Sequence, residues 1–121
     1  MPTKHDINNK TDIELMVRTF YANLLQEESI QPLFANTDFE AHVPHMIDFW
    51  SFVLLKEDGY KTNVMERHFH LPLKETHFEL WLKHFNHTIN NLFEGEKAEL
   101  ALQRANSIAY MMQKKFQQMG N

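Results

Sequence analysis

The histidine at position 68 is the residue of this chain best suited to bind a metal. It lies in the segment Glu66-Arg67-His68-Phe69-His70-Leu71-Pro72, between a short helical signal and a break that contains proline. An aromatic amphipathic helix is predicted beyond the break. An imidazole on a short segment between apolar helices can ligate a metal that the helices enclose, so His68 is a candidate metal ligand.

Three further residues carry polar atoms on or beside apolar helix faces, each on a different predicted helix: Tyr21, His42 and Trp81. A buried polar atom needs a hydrogen-bond partner. Together with His68, these residues indicate a cavity that holds something polar. Taken singly, each has a simpler interpretation: the Tyr21 hydroxyl could lie in water and His42 could bond a backbone carbonyl. Trp81 could be ordinary core, and His68 could lie at the surface.

Two histidine pairs at helical spacing could hold zinc only weakly. They are His42 with His45, and His84 with His87. Two imidazoles without a carboxylate or thiolate make an incomplete zinc site. We therefore interpret both pairs mainly as solvated faces.

The composition limits both the class of protein and its chemistry. With 121 residues, 43% hydrophobic and 23% charged, the chain has the composition of one globular domain. Ten Phe, three Tyr and two Trp supply flat apolar surfaces, either for an ordinary core or for a core built around a flat ligand. The chain contains no cysteine, which excludes disulfides, thiolate metal sites and covalent Cys-x-x-Cys-His haem attachment. Any soft-metal or haem chemistry must therefore use imidazole.

Charge and hydropathy exclude two kinds of partner. The formal net charge is -4 and no basic stripe is present, so we expect no nucleic acid as partner. The longest apolar run falls far short of the roughly 20 residues that span a bilayer, so we expect no membrane partner. The polar N-terminal residues lack an apolar signal segment, which predicts a cytoplasmic location.

Helical periodicity predicts an all-α chain. Residues 1–10 are predicted to form a flexible, solvated tail, followed by a single domain over residues 11–121. A capping box formed by Thr11 and Glu14 is predicted to open the first helix. Further helices are predicted at about residues 38–56, 63–69, 74–93 and 96–118.

Two details of the second predicted helix are testable. Pro44 is expected in its first turn, where a missing N–H does no harm, and this places the regular helix start near Val43. Ser51 is expected outside the buried face, together with Glu40 and Asp48.

The whole set of residues resembles the third group of the truncated haemoglobins. The resemblance covers about residues 11–116, and the matching strings run in order: Phe20-Tyr21, Pro32-Leu33-Phe34, His42 eight residues before Trp50, Phe49-Trp50, Leu54-Leu55, Tyr60, His68 with Leu71-Pro72, His77-Phe78-Glu79-Leu80-Trp81-Leu82, Arg104-Ala105 and Ile108-Ala109. It implies a truncated globin-like helical sandwich, in a compact two-over-two arrangement, around one non-covalent haem b (iron protoporphyrin IX).

The resemblance also implies roles for single residues. His68 matches the proximal ligand of the haem iron, and neutral imidazole is a good axial ligand. Tyr21, His42 and Trp81 match the distal residues. Tyr21 O–H and Trp81 Nε1–H can donate hydrogen bonds to bound O2, which becomes partly anionic. His42 could donate a third bond or act as a gate.

Other residues are implied as walls and edges of the haem pocket. The implied pocket residues are Phe20, Phe34, Met46, Phe49 and Trp50. Arg67 and Lys61 flank the proximal segment and are candidate contacts of the haem propionates, although solvated side chains are an equally good interpretation.

Three functions compete at this stage. The first is a haem protein that reversibly binds O2, CO and NO, held by strong distal hydrogen bonds. The second is a haem enzyme that removes NO or peroxide, which would need an external reductase because the chain has no flavin or nicotinamide domain. The third is a non-haem helical binding module. Haem uptake separates the third from the others, and turnover with NO or peroxide separates the second from the first.

Overall fold

The computed structural model describes residues 4–56 and 74–118, with side chains up to residue 115. Within these residues the chain forms α-helices and one short 3₁₀ helix, and no β-strand. The elements are α1 (Lys10–Leu24), the 3₁₀ helix (Gln31–Phe34), α2 (Phe39–Leu55), α3 (Glu75–Leu92) and α4 (Glu96–Gln118). The predicted all-α fold is confirmed. The helical segment predicted for residues 63–69 lies outside the described residues.

The helices pack around one apolar interior. α3 contacts α4 and α1, α1 contacts α2, and α2 also contacts α4, so the four helices surround the interior. Buried alanines along α4 (Ala98, Ala101 and Ala105) let neighbouring helices approach closely. Larger apolar side chains fill the interior, and burial of each contributes about 1.5–3 kcal/mol; among them are Met16, Leu24, Trp50, Phe85 and Ile89.

Most of the described residues 4–9 are exposed, as expected of a solvated tail, but Ile7 and Asp6 attach this segment to the domain. Ile7 is fully buried in the core, although a polar segment surrounds it. The backbone carbonyl of His5 accepts a hydrogen bond from Glu94 N–H at 3.0 Å. Asp6 accepts hydrogen bonds from the N–H groups of Lys97 and Ala98, each at 2.9 Å. These residues therefore form a strap, residues 4–9, across the corner between α3 and α4.

Asp6 serves as the N-terminal cap of α4, although it lies about 90 residues earlier in the chain. The first N–H groups of a helix need acceptors, and the residue before α4 is Gly95, which has no side chain to supply one. Gly95 has φ +147, and a Cβ at this position would lie 2.5 Å from Asp6 Cγ. Glycine is thus required here both by the backbone conformation and by the close approach of Asp6.

The start of α1 also differs from the prediction. The helix begins at Lys10, and its cap is Asn9, whose side chain accepts from Asp12 N–H at 2.9 Å. Thr11 lies inside the first turn, so the predicted capping box with Glu14 does not open the helix. Asn is as good an N-terminal cap as Thr. Asn9, which lies two residues before Thr11, caps the helix instead.

In α2 the predicted position of Pro44 is wrong, because the helix begins at Phe39 with Asp38 as its cap, and Pro44 lies inside it. The helix continues through Pro44 although proline cannot donate the usual backbone bond. Ser51, expected outside the buried face, is 1% exposed. Its hydroxyl has no hydrogen-bond partner within the described residues.

Candidate functional site

A cavity opens between the four helices and the 3₁₀ helix. Its volume is about 90 Å³. One buried water needs roughly 10–15 Å³, so the cavity has room for several water molecules or a small bound group. The described residues that line it are Met16, Val17, Phe20, Tyr21, Leu24, Ile30, Leu33, Phe34, Met46, Phe49, Trp50, His77, Phe78, Trp81, Phe85, Ile108, Ala109 and Met112.

The cavity wall is apolar and rich in aromatic rings. Five lining residues are those that the resemblance implied as haem pocket residues: Phe20, Phe34, Met46, Phe49 and Trp50. Their contact with a haem stays a prediction. Polar atoms enter the described wall from the side chains of Tyr21, Trp81 and His77, so the polar chemistry of the cavity depends on these groups.

Tyr21 and His42 form a hydrogen-bonded pair at the α1 side of the cavity. The Tyr21 hydroxyl lies 2.7 Å from His42 Nε2. Tyr21 is 8% exposed, and this burial raises the pKa of its phenol above the ordinary value of 10.0. The phenol therefore keeps its proton. The interpretation in which the Tyr21 hydroxyl lies in water does not apply to this structure.

The Tyr21 ring is held by aromatic neighbours on several sides. Phe20, Phe34 and Phe39 approach it edge-on, with ring centroids 5.0, 5.9 and 5.6 Å away. His42 is half-buried and contacts Tyr21 from α2; it does not itself line the cavity. The hydroxyl of Tyr21 is thus held in place, with His42 behind it.

Trp81 is positioned by a column of stacked rings. It stacks on Phe85 at 5.6 Å with planes 13° apart, and Phe85 stacks on Trp50 at 4.9 Å with planes 22° apart. Phe20 contacts Trp81 edge-on at 5.8 Å. Among the described residues nothing accepts a hydrogen bond from the indole N–H of Trp81, which is half-buried at the cavity wall. Trp81 is therefore a fixed donor that a bound molecule can use.

His77 is a cavity residue that the sequence analysis did not single out. It lies in the first turn of α3, and its Nδ1 accepts a hydrogen bond from Lys74 N–H at 2.9 Å. Its signal in the sequence is its position four residues before Trp81, which places both on one face of the helix.

Several predicted site residues lie outside the described residues: His68, Arg67 and Lys61. The described parts of the chain contain no group of three or more His, Asp or Glu side chains that could hold a metal ion. The second histidine pair was interpreted mainly as a solvated face; His87 is exposed, whereas His84 is half-buried, and both have other partners. His84 Nε2 lies 2.8 Å from Glu27 Oε1, and His87 Nε2 lies 2.8 Å from Asn91 Nδ2.

Comparison with known proteins identifies the family. The family model of the bacterial-like globins matches residues 5–114. The chain belongs to this family. Group 3 truncated hemoglobin of Campylobacter jejuni is similar to this globin, with 28% identity over 113 residues that cover 88% of this chain and 89% of the relative.

Solved structures confirm the fold of this globin. The crystal structure of group III truncated hemoglobin from Campylobacter jejuni matches with a TM-score of 0.86 at 28% identity, covering 98% of this chain and 99% of that chain. A truncated hemoglobin variant from Tetrahymena pyriformis, in its Fe(III) form, matches with a TM-score of 0.73 at 21% identity, covering 91% and 92%. The resemblance to the third group of truncated haemoglobins is thereby confirmed.

The described residues of this globin fit a haem. Flat aromatic side chains give the cavity an apolar wall suited to a flat apolar disc. The unpartnered Trp81 N–H and the Tyr21 hydroxyl are donors suited to a ligand that gains negative charge. Across residues 4–56 and 74–118, no helix is both long enough and apolar enough to cross a membrane.

Proposed function

We propose that this globin binds one haem b non-covalently and reversibly binds O2, CO and NO, with distal hydrogen bonds from Tyr21 and Trp81. The observation that carries the proposal is the aromatic, largely apolar cavity whose wall includes these two donors. Haem, when bound, supplies the iron site at which diatomic ligands bind, and His68 is the proposed proximal ligand. The remaining chemistry belongs to the side chains of the cavity.

Tyr21 acts as a proton-bearing donor rather than as an acid. Because burial raises the pKa of its phenol, it keeps the O–H bond with which it donates. When His42 carries its proton on Nε2 and donates to the Tyr21 oxygen, the Tyr21 O–H is left to donate to a ligand. The two bonds then lie in one chain and strengthen each other. Such hydrogen bonding favours slow ligand release.

Trp81 acts as the second donor. Its stacking on Phe85 fixes the plane of the indole, so little conformational freedom is lost when the N–H finds an acceptor. Phe20, Phe34, Met46, Phe49 and Trp50 exclude water from the cavity wall, which strengthens electrostatic interactions inside it.

The test is haem uptake by the purified chain. We expect haemin to give a sharp Soret band at a ratio of one per chain, and reduction followed by CO to give the shifted band of a carbonyl complex. A featureless, broad band of unbound haemin would contradict the proposal and favour a non-haem helical binding module.

A second candidate function is supported by the Tyr21–His42 hydrogen bond. Because His42 is half-buried and reaches the buried Tyr21 hydroxyl, the pair offers a short proton path, as an enzyme acting on NO or peroxide would need. Such an enzyme would depend on an external reductase. Multiple turnovers of NO or peroxide with an added electron donor, lost in His42→Leu, would establish it; stoichiometric reaction alone would count against it. A cytoplasmic location stays a prediction.

A further inference from the structure

His77 differs from the other polar residues of the cavity in where it lies. Its immediate neighbours before it, Lys74, Glu75 and Thr76, are exposed, whereas Phe78, directly after it, is buried. His77 itself is half-buried and lines the cavity. It is therefore at the rim, where the apolar interior meets solvent.

The hydrogen bond from Lys74 N–H selects the tautomer of the neutral His77 ring. Nδ1 is the acceptor of this bond, at 2.9 Å, so it carries no hydrogen. In a neutral imidazole the proton then resides on Nε2. Nε2 has no hydrogen-bond partner among the described residues. His77 thus presents one N–H donor at the rim of the cavity.

This tautomer decides what His77 can bind. Coordination of a metal by Nε2 would require the proton to move to Nδ1, where it would face the Lys74 N–H donor and lose the bond. An anionic or carbonyl oxygen, in contrast, accepts from Nε2–H without any rearrangement. The geometry favours an oxygen acceptor over iron.

The Nε2–H group of His77 is the polar group that this part of the cavity wall presents. The residues of α4 that line the cavity are apolar: Ile108, Ala109 and Met112. On its own helix the charged neighbours, Glu75 and Glu79, are exposed and do not line the cavity. Among residues 4–56 and 74–115, no hydrogen bond engages Nε2–H, so this donor is available to a molecule that enters the cavity.

We propose that His77 donates a hydrogen bond from Nε2 to a carboxylate, and that this carboxylate is a propionate of haem. The inference rests on the proposed haem function and assigns the carboxylate edge of the porphyrin to the side of the cavity where α3 begins. It adds to Arg67 and Lys61 a propionate contact that lies within the described residues. A small carboxylate from solution has the same chemistry, and the experiment separates the two.

The experiment compares haemin with haemin dimethyl ester, in which both propionates are esterified and uncharged. His77→Gln is the informative variant, because a Gln side chain at this position can still accept from Lys74 N–H but lacks the rigid ring that fixes the Nε2–H donor. His45→Gln is the matched control, since His45 is exposed on α2 and does not line the cavity. Affinities are measured as the transfer of each porphyrin to an excess of apomyoglobin.

We expect His77→Gln to weaken haemin binding by roughly tenfold, as for a hydrogen bond to a charged group. Binding of the dimethyl ester should be unchanged in this variant, and His45→Gln should affect neither porphyrin. Two-bond ¹H–¹⁵N spectra of the haem-free chain should show the His77 proton on Nε2.

Three results would overturn the inference. If His77→Gln weakens the binding of both porphyrins equally, His77 is only a residue of the cavity wall. If it weakens the binding of neither, His77 is not part of the site. A change of the His77 ring signals with acetate, together with equal haemin and ester affinities, would assign the site to a free carboxylate. Failure of the wild-type chain to bind either porphyrin would instead refute the proposed haem function itself.

Discussion

The hydrogen bond between Tyr21 and His42 predicts an order of effects on ligand release. Replacing Tyr21 by Phe removes a donor that is 8% exposed and packed between aromatic rings, without leaving a large void. A hydrogen bond to a charged group is worth about 1.5–3 kcal/mol, and Tyr21 is buried enough for the full value to apply. Since about 1.4 kcal/mol corresponds to a factor of ten, O2 dissociation should accelerate roughly ten- to hundredfold.

His42→Leu should have a smaller effect. His42 contacts the Tyr21 hydroxyl at 2.7 Å but does not line the cavity, so its loss leaves the donor to the ligand in place. What is lost is a neutral hydrogen bond, worth about 1 kcal/mol, which corresponds to roughly fivefold in rate.

The assay is stopped-flow mixing of the oxygenated haem protein with excess CO, which reports the O2 dissociation rate. Tyr110→Phe is the control, since Tyr110 is 60% exposed and does not itself line the cavity. A larger acceleration in His42→Leu than in Tyr21→Phe would refute the assignment of Tyr21 as the main donor.

Three further predictions concern the iron ligand, the strap and the phenol. His68→Ala should abolish tight haem retention whereas His70→Ala should not, as measured by the Soret band after gel filtration; normal iron coordination in His68→Ala would disprove the proximal assignment. Asp6→Ala should lower the free energy of unfolding by about 2 kcal/mol in urea titrations, because the N–H groups that it caps lose their acceptor, while the exposed Asp48→Ala should change it little. Burial alone would raise the pKa of Asp6, but hydrogen bonds from Lys97, Ala98 and Ile7 hold it below 3.8; the contribution of Asp6 to stability is therefore present above pH about 4 and is lost as the pH falls through the lowered pKa. For Tyr21, burial raises the pKa above 10.0, so stability should fall as the pH rises past about 10; a 295 nm difference spectrum between wild type and Tyr21→Phe should show no tyrosinate at pH 10, and a clear band there would contradict the buried position.

The helices were largely predictable because their apolar residues follow the helical period. The structure places α3 at Glu75–Leu92 and α4 at Glu96–Gln118, within a residue of the predicted bounds. In the sequence, the junction between α3 and α4 is marked by Gly95 and by a change in which helical positions carry apolar residues. Such a pattern involves residues within one or two helical turns of each other, so it can be recognised directly in the sequence.

The strap could not be predicted for the opposite reason. Asp6 caps a helix that begins about 90 residues later, and a polar segment with a single Ile gives no local sign that Ile7 is buried. The position of Pro44 was predicted wrongly because the preference of proline for the first turn describes the average helix. In α2, packing outweighs one missing backbone hydrogen bond.

The site was predictable in part. The paired position of Tyr21 and His42, and the cavity position of Trp81, agree with the residues that the sequence singled out. His77 was missed because its role depends on the ring orientation that the Lys74 N–H imposes, which its position four residues before Trp81 does not reveal. The predicted roles of the site residues toward haem stay predictions.

The strap has a practical consequence for anyone who trims or fuses this polypeptide. A fragment that begins at the first residue of α1 keeps all four helices. It nevertheless removes Ile7 from the interior and leaves the amides of Lys97 and Ala98 without acceptors. Affinity tags should accordingly be separated from residue 4 by a flexible spacer, and deletion series should begin upstream of Lys4, whose Nζ donates to the Asn90 carbonyl at 2.6 Å.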